Sequence, residues 1–399
     1  MNDVYSITTI LKIAVSATVA LVSVIWIYRK VLRIAQTKQL MDNPETRKLQ
    51  EKPIPVLGGI AVFFGLLAGL MTAAVLMNDF YGLLPAMLAA TILLYIGTVD
   101  DILDLSPALR FVIECIVMLG LIFSSGKCVD SLHGMWGIET FSWWIGVPLT
   151  VFAGVGIINA FNMVDGVNGL SSSLCILVSV LLGTIFFKSG DPMNAALAYS
   201  FAAALIPFFM HNVFGNKSRM FIGDGGTMVM GVLVSWFVIH VMSHDGLAVT
   251  RMDTESQLNM AAALLAVASV PVFDTLRVMT MRILHGTSPF RPDKTHLHHA
   301  FIELGFSHSI TTLSELVLDI LVVGAWYLCY KMGGSLDMQM WVTIVAAVLL
   351  VMGAYTLLHY TAVHDNKIHE KLERFSVRTH LGSTQWWQKL TQWLDRGTL

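Results

Sequence analysis

Apolar runs of membrane-spanning length alternate with short polar breaks along most of this chain. They fall near residues 6–28, 55–77, 82–99, 109–125, 143–161, 170–187, 193–211, 226–243, 258–283, 310–330 and 339–359. A bilayer core takes about 20 apolar residues per helix, so each run reads as one span. The breaks carry turn chemistry: Asn78-Asp79, Gly126, Gly190-Asp191-Pro192 and Gly333-Gly334. The pattern predicts an all-α polytopic integral membrane protein with about eleven transmembrane helices. Residues 1–366 form the membrane domain and residues 367–399 a basic tail. No internal repeat and no low-complexity segment is visible.

Composition sharpens this reading. Of 399 residues, 55% are hydrophobic and 13% charged, against about 25% charged in a soluble domain. A net charge of −2 says nothing about nucleic acid, and no nucleic-acid partner is expected. The first run has no basic leader and no small-residue cleavage site, so it reads as a retained helix. Cys115, Cys128, Cys175 and Cys329 are far apart. They read as small buried hydrophobes, not as a disulfide framework or metal site.

Charge sets the expected orientation. Arg29, Lys30, Arg33, Lys38, Arg47, Lys48 and Lys52 follow the first run, and alternate loops add Lys217, Arg219, Arg291 and Lys294. The other loops offer only Lys127, Lys188, Arg251 and Lys331. The positive-inside rule places the first set in the cytosol. The N-terminus is then outside and the tail inside.

Most polar chemistry collects on that expected cytosolic side. Asp100, Asp101 and Asp104 close the third run; like charges at a helix C-terminus repel one another and oppose the dipole. A plain solvated end would explain them, but a divalent cation or phosphate site explains the unfavourable placement better. "NAFNMVDGVNGL" (159–170) joins two runs. Asn159 and Asn162 fall on one helical face, while Asp165-Gly166 and Asn168-Gly169 suit turns. The segment is a wet turn or a set of hard-oxygen ligands for Mg2+ and polar partners for a sugar or uracil. In "GDGG" (223–226), Asp224 suits an N-cap, and the glycines let a phosphate approach the helix N-terminus. Arg291, Lys294, His296, His298 and His299 form an anion-handling loop, whose histidines are expected to titrate between about pH 6 and 8. Asp274 with Arg277 reads as a buried pair, and Asp319 has no obvious partner. A cation-coupled transporter would use Asp274 or Asp319 as its relay, but polar, broken helices at the midplane are not evident.

The ordered motifs DDxxD, NxxNxxDGxNGL, GDxG and PFxPDxxHxHH resemble those of the polyprenyl-phosphate N-acetylhexosamine-1-phosphate transferases. The resemblance covers about residues 40–310, and "HLHH" resembles the GlcNAc-1-phosphate transferase branch more than the lipid I translocases. It implies transfer of an N-acetylhexosamine 1-phosphate, favouring GlcNAc, from a UDP-sugar to undecaprenyl phosphate, with release of UMP. The implied setting is the cytosolic face of a bacterial inner membrane, and a homodimer is compatible with it. The implied cofactor is Mg2+, with Mn2+ as a substitute, held by Asp224 with Asn162 or Asp165. Asp100 and Asp101 would bind, orient or deprotonate the lipid phosphate, with Asp165 beside them in the catalytic group. Arg110 would hold the diphosphate. Asn159, Asn168, Arg291, Lys294, His296, His298 and His299 would shape the nucleotide-sugar pocket. "KPIPVLGGI" (52–60) resembles the family's first cytosolic motif.

Overall fold

A computed structural model describes residues 6–42, 53–246, 258–288, 294–364, 370–372, 374, 376 and 381–397. The long helices are α1 (Ile7–Thr37), α2 (Gly58–Met77), α3 (Leu84–Leu103), α4 (Pro107–Ser125), α5 (Trp143–Val164), α6 (Leu170–Ser189), α7 (Pro192–Phe214) and α8 (Gly223–Met242). They are followed by α9 (Met260–Val267), α10 (Ser269–Leu284), α11 (Leu297–Glu303), α12 (His308–Lys331), α13 (Leu336–His364) and α14 (Gln385–Leu394). Among the described residues, ten helices are long and apolar enough to cross a membrane, or eleven when α9 and α10 count as one span. The only described strands, β1 (Met41–Asp42) and β2 (Ile54–Pro55), pair antiparallel with Met41 opposite Pro55.

The core is built around α8, whose Trp236 and Phe237 are fully enclosed. Small residues let its neighbours approach. A methyl group on Gly97 would collide with the backbone at Gly225, and one on Gly231 with Ile158. These contacts draw α3 and α5 against α8 and thereby set the spacing of the motif-bearing helix ends. Large apolar side chains such as Leu88, Tyr95 and Phe152 face outward, as a lipid-facing surface requires.

Several boundaries differ from the sequence expectation. The third helix does not stop near residue 99; it continues through Asp100 and Asp101 to Leu103. Asp104 then leaves the helix with a left-handed φ of 50°, so it does not share a helical face with Asp100. The expected span 258–283 is broken between α9 and α10, which meet at 75°. Pro271 contributes to the break: it has no N–H, and its ring crowds the carbonyl four residues back, at Val267. The last span contains a π-helical stretch, Val348–Met352. Asp319 is not without a partner either. Its Oδ1 accepts from Ser269 Oγ at 2.8 Å and from the Val270 N–H at 3.1 Å, capping the start of α10 inside the membrane domain. With Glu315 beside it on α12, polar groups therefore do occur within the spans. Arg47, Lys48, Lys52, Arg251 and Arg291 lie outside the described residues.

Candidate active site at one end of the bundle

The C-terminal ends of α3 and α5 and the N-terminal ends of α4 and α8 meet on Arg110. Its position follows from a sharp α3–α4 turn. Asp104 N–H bonds the Asp100 carbonyl, Asp100 Oδ1 accepts from the Leu105 N–H at 2.7 Å, and Ser106 caps α4 with Pro107 in the first turn. From there Arg110 donates to Asp100 Oδ2 at 2.6 Å, to Asp224 Oδ2 at 3.0 Å and to Asn162 Oδ1 at 3.2 Å. Asn162 closes the ring by donating to Asp224 Oδ1 at 2.8 Å and Thr227 Oγ1 at 2.9 Å. One guanidinium thus separates two carboxylates that would otherwise repel, and every bond except Asn162–Thr227 is charge-assisted on at least one side.

Two expectations for this region change. Asp224 is not the N-cap of α8. Ile222 holds that place without a side-chain bond, and Asp224 lies in the first turn with its carboxylate aimed at Arg110 and Asn162. Nor is the N-terminus of α8 left open for a phosphate: Asp101 Oδ1 accepts from the Asp224 N–H at 3.0 Å, a favourable place for an anion on a helix dipole.

Asn159 and Asn162 point to different neighbours. Asn159 donates to Glu114 Oε2 at 2.6 Å and to its own helix at Val155, so it braces α5 against α4 behind the Arg110 cluster. Asp165 lies in the α5–α6 turn and accepts from Ser171 Oγ. Burial pushes its carboxyl up to about 7; the Ser171 bond works against this and the nearby Asp224 charge adds to it. Asn168 is held by its backbone, accepting at O from Thr312 Oγ1 at 2.9 Å and donating its N–H to His308 Nδ1. Gly169, with φ of 81°, supplies the left-handed conformation that starts α6.

The histidine motif sits beside this turn. His298 packs on Gly166, where a side chain would collide with its ring. The imidazoles of His296 and His298 stack at 5.6 Å, and those of His298 and His299 lie 4.5 Å apart. Burial first, and the neighbouring imidazoles second, hold His298 well below the ordinary imidazole range. It therefore favours the neutral form. His296 bonds Asp274 Oδ2 at 2.8 Å, and the Leu297 N–H bonds Asp274 Oδ1. Arg277 donates to that same Oδ1 at 2.6 Å and stacks 3.4 Å above the Tyr355 ring. The expected Asp274–Arg277 pair is present, and it serves as the mount for the histidine segment. Lys294 is exposed at the start of that segment. Arg291 lies outside the described residues.

Sequence reasoning missed Glu114, Thr227, Ser171, Thr312 and Tyr355. Glu114 carried a usable signal: an acid four residues after Arg110, inside an apolar run. Ser171 pairs with the adjoining turn, and Thr227, Thr312 and Tyr355 are ordinary helix residues whose role depends on contacts from distant segments.

The donor set around Asp224 fits a hard divalent cation. Asp101, Asp224, Asn162 and Asp165 offer only oxygen ligands from their acids and amide carbonyl, with no thiolate. Among the described residues, no three acidic, His or Cys side chains converge to enclose an ion. Mg2+ is usually held by one or two carboxylates and completed by water and substrate phosphate, so an open acidic rim suits it. Asp224 keeps 34% of its side chain exposed beside Arg110 at 18%, which leaves this rim reachable.

Residues 83–242 match the model of Glycosyl transferase family 4. The chain is 30% identical over 294 residues to the undecaprenyl-phosphate alpha-N-acetylglucosaminyl 1-phosphate transferase of Yersinia pestis, covering 71% of this chain and 77% of that protein. It is 30% identical over 284 residues to the protein of the same name from Escherichia coli K12, covering 69% and 72%. A probable undecaprenyl-phosphate N-acetylglucosaminyl 1-phosphate transferase of Bacillus subtilis is 29% identical over 306 residues, covering 76% and 81%. The matched interval contains Asp100, Asp101, Arg110, Asn162, Asp165 and Asp224, all of the Arg110 cluster together with the turn beside it. Family membership implies a metal-dependent transferase. The chain belongs to Glycosyl transferase family 4, as a multi-pass membrane enzyme of the polyprenyl-phosphate N-acetylhexosamine-1-phosphate transferase type.

Proposed function

We propose that this enzyme transfers N-acetylglucosamine 1-phosphate from UDP-GlcNAc to undecaprenyl phosphate, releasing UMP, at the cytosolic face of a bacterial inner membrane. The observation that carries the reading is the meeting of Asp100, Asp101, Asn162 and Asp224 around Arg110 at one end of a membrane bundle. A lipid phosphate reaches that level from the bilayer and a nucleotide sugar from water. The names of the relatives favour GlcNAc and undecaprenyl phosphate. The positive-inside count favours the cytosolic side for this end.

An oxygen of the lipid phosphate attacks the β-phosphorus of the UDP-sugar. The bond from that phosphorus to the oxygen bridging to the α-phosphate breaks, and UMP leaves with both electrons. Such transfers depend on alignment and charge compensation more than on covalent help. Arg110 supplies a fixed positive charge toward the diphosphate, and Asp100 and Asn162 fix its orientation. Asp101 lies at the exposed end of α3, where it orients the acceptor phosphate or takes its proton. A Mg2+ ion on Asp224, with Asn162 or Asp165, would neutralise diphosphate charge. The histidine segment, fixed by Asp274 and Arg277, lies next to the Asp165 turn and shapes the sugar side of the pocket.

The test is purified protein incubated with undecaprenyl phosphate and a panel of UDP-sugars. UMP release is expected with UDP-GlcNAc, is expected to stop in excess EDTA, and to return with Mg2+ or Mn2+. Undiminished turnover in EDTA removes the metal from the account. A preference for another UDP-amino sugar replaces GlcNAc but keeps the reaction.

A further inference from the structure

The last described helix divides its surface into three sectors. Trp387, Thr391 and Leu394 face the bundle: Thr391 Oγ1 donates to the Phe214 carbonyl at 2.7 Å, and Trp387 packs on the Phe214 ring at 4.5 Å. Gln385, Gln388 and Gln392 form a polar sector. Between them lie Trp386, Lys389 and Trp393, spaced three and four apart on one stripe. The two tryptophans are 53% and 60% exposed. Phe214 is the last residue of the membrane-spanning helix α7, so this stripe sits at the level where a span ends. Exposed tryptophan with lysine at that level is the composition of a headgroup-region contact.

The residue that follows ties this helix to the catalytic end. Asp395 Oδ1 and Oδ2 accept from three successive backbone N–H groups, Asn216 at 3.2 Å, Lys217 at 3.1 Å and Ser218 at 2.9 Å, and from Ser218 Oγ at 2.7 Å. Successive N–H groups of this kind make a nest for an anion. Partial burial works against the charge, yet the Ser218 hydroxyl and the three amides hold the carboxyl below its ordinary range. The nest belongs to the short loop between α7 and α8. Three residues further, Phe221 bonds Pro55 and Gly58, and Gly223 opens the helix that carries Asp224. Tyr28 of α1 donates to the Ser218 carbonyl from the other side.

We infer that α14 is an anchor in the lipid headgroup region, and that Asp395 is a positioning residue that latches it to the loop setting the start of α8. The occupant of the Trp386–Lys389–Trp393 stripe is the bilayer that holds α7. The family match ends at residue 242, so Asp395 lies beyond the matched interval while its nest at 216–218 lies within it, six residues before Asp224.

Full-length protein in nanodiscs of phosphatidylethanolamine and phosphatidylglycerol tests both parts. A bimane label on Trp393→Cys, with unsubstituted protein as the labelling background, should be quenched by nitroxide lipids more than by aqueous iodide. Quenching by iodide alone overturns the anchor. So does protection from both quenchers, which would mean a second copy or a partner protein covers the stripe. For the latch, Asp395→Ala should speed hydrogen exchange at amides 216–218 by about tenfold or more, the scale of a lost charge-assisted hydrogen bond; Asp395→Asn should give a smaller change. Unchanged exchange in both variants overturns it. In turnover, Asp395→Ala should lower kcat several-fold with KM for the lipid phosphate within about twofold, as expected for misplacement of a transition-state group and not loss of binding. An unchanged kcat overturns the positioning role. That last arm rests on the proposed reaction, whereas quenching and exchange do not. Absence of UMP release from unsubstituted protein would therefore count against the reaction and leave the anchor and latch to their own results.

Discussion

At the end of the bundle, Asp100 and Asp224 share one guanidinium at 2.6 and 3.0 Å. Inside α12, Glu315 and Asp319 are 1% and 0% exposed, and each keeps one oxygen without a hydrogen-bond partner among the described residues. The first group is paired but reachable: Asp224 keeps 34% of its side chain exposed. The second group is sealed. Asp319 spends its other oxygen on the broken start of α10, where Pro271 interrupts the helix ladder. An acid in a span is thus not by itself a catalytic acid. What separates the two is access and the presence of a positive partner, Arg110.

Neutralising an acid of the reachable group should have the largest effect. Asp224→Asn and Asp101→Asn should each lower kcat by roughly a hundredfold to a thousandfold, the scale of losing one preorganised charge contact in a transition state. Both variants should remain folded, because each keeps its shape at a wet helix end. Activity within about threefold of the unsubstituted enzyme would take that residue out of the catalytic group.

Asp274→Asn probes the mount of the histidine segment. It leaves Arg277 buried beside a neutral amide and weakens the bond to His296. A loss of about 1.5–3 kcal/mol is expected, read as a lower Tm, with KM for UDP-GlcNAc raised more than KM for the lipid phosphate. A shift in kcat alone, with both KM values unchanged, would separate the mount from the sugar pocket.

Asp165 gives a pH signature. Its carboxyl titrates at about 7 in the folded protein against an ordinary value of 3.8. Between those values the folded state holds a proton that the unfolded state has released. Stability should therefore be greatest below that window and fall as pH rises through it. Asp165→Asn should flatten the slope of Tm against pH from about 4 to 7 in EDTA-treated protein. Parallel curves for the two proteins would assign the slope to other groups.

The smallest effect is expected at the opposite end of the bundle. Lys127 and Asp245 form an ion pair at 2.7 Å, but Asp245 is 54% exposed. Lys127→Ala should cost less than about 1 kcal/mol and leave turnover unchanged; a large loss of activity would mean the catalytic end is coupled to that face.

The sequence made the spans legible because membrane helices are written in long apolar runs. The motif residues were legible because polar groups at span ends stand out against them. Their connections were less so. Arg110 and Asp224 are 114 positions apart, and nothing local says that one guanidinium will serve Asp100, Asp224 and Asn162 together. The break before α10 had a signal in Pro271. Yet Pro148 and Pro207 lie within unbroken helices α5 and α7, so proline alone did not decide it. At Pro271 the added element is Asp319, which arrives from α12 to bond the freed helix start. The histidine segment was legible as a motif, but its neutrality at His298 depends on burial against Gly166 and on its neighbouring rings. That is a property of packing, which spacing does not encode.

In the proposed reaction a sugar phosphate moves, and not a sugar alone. UDP-GlcNAc carrying 32P only in its β-phosphate decides this directly when supplied with undecaprenyl phosphate and Mg2+. The label should pass into the lipid phase in step with release of unlabelled UMP. Label left in water as UDP, with sugar on the lipid, would contradict it.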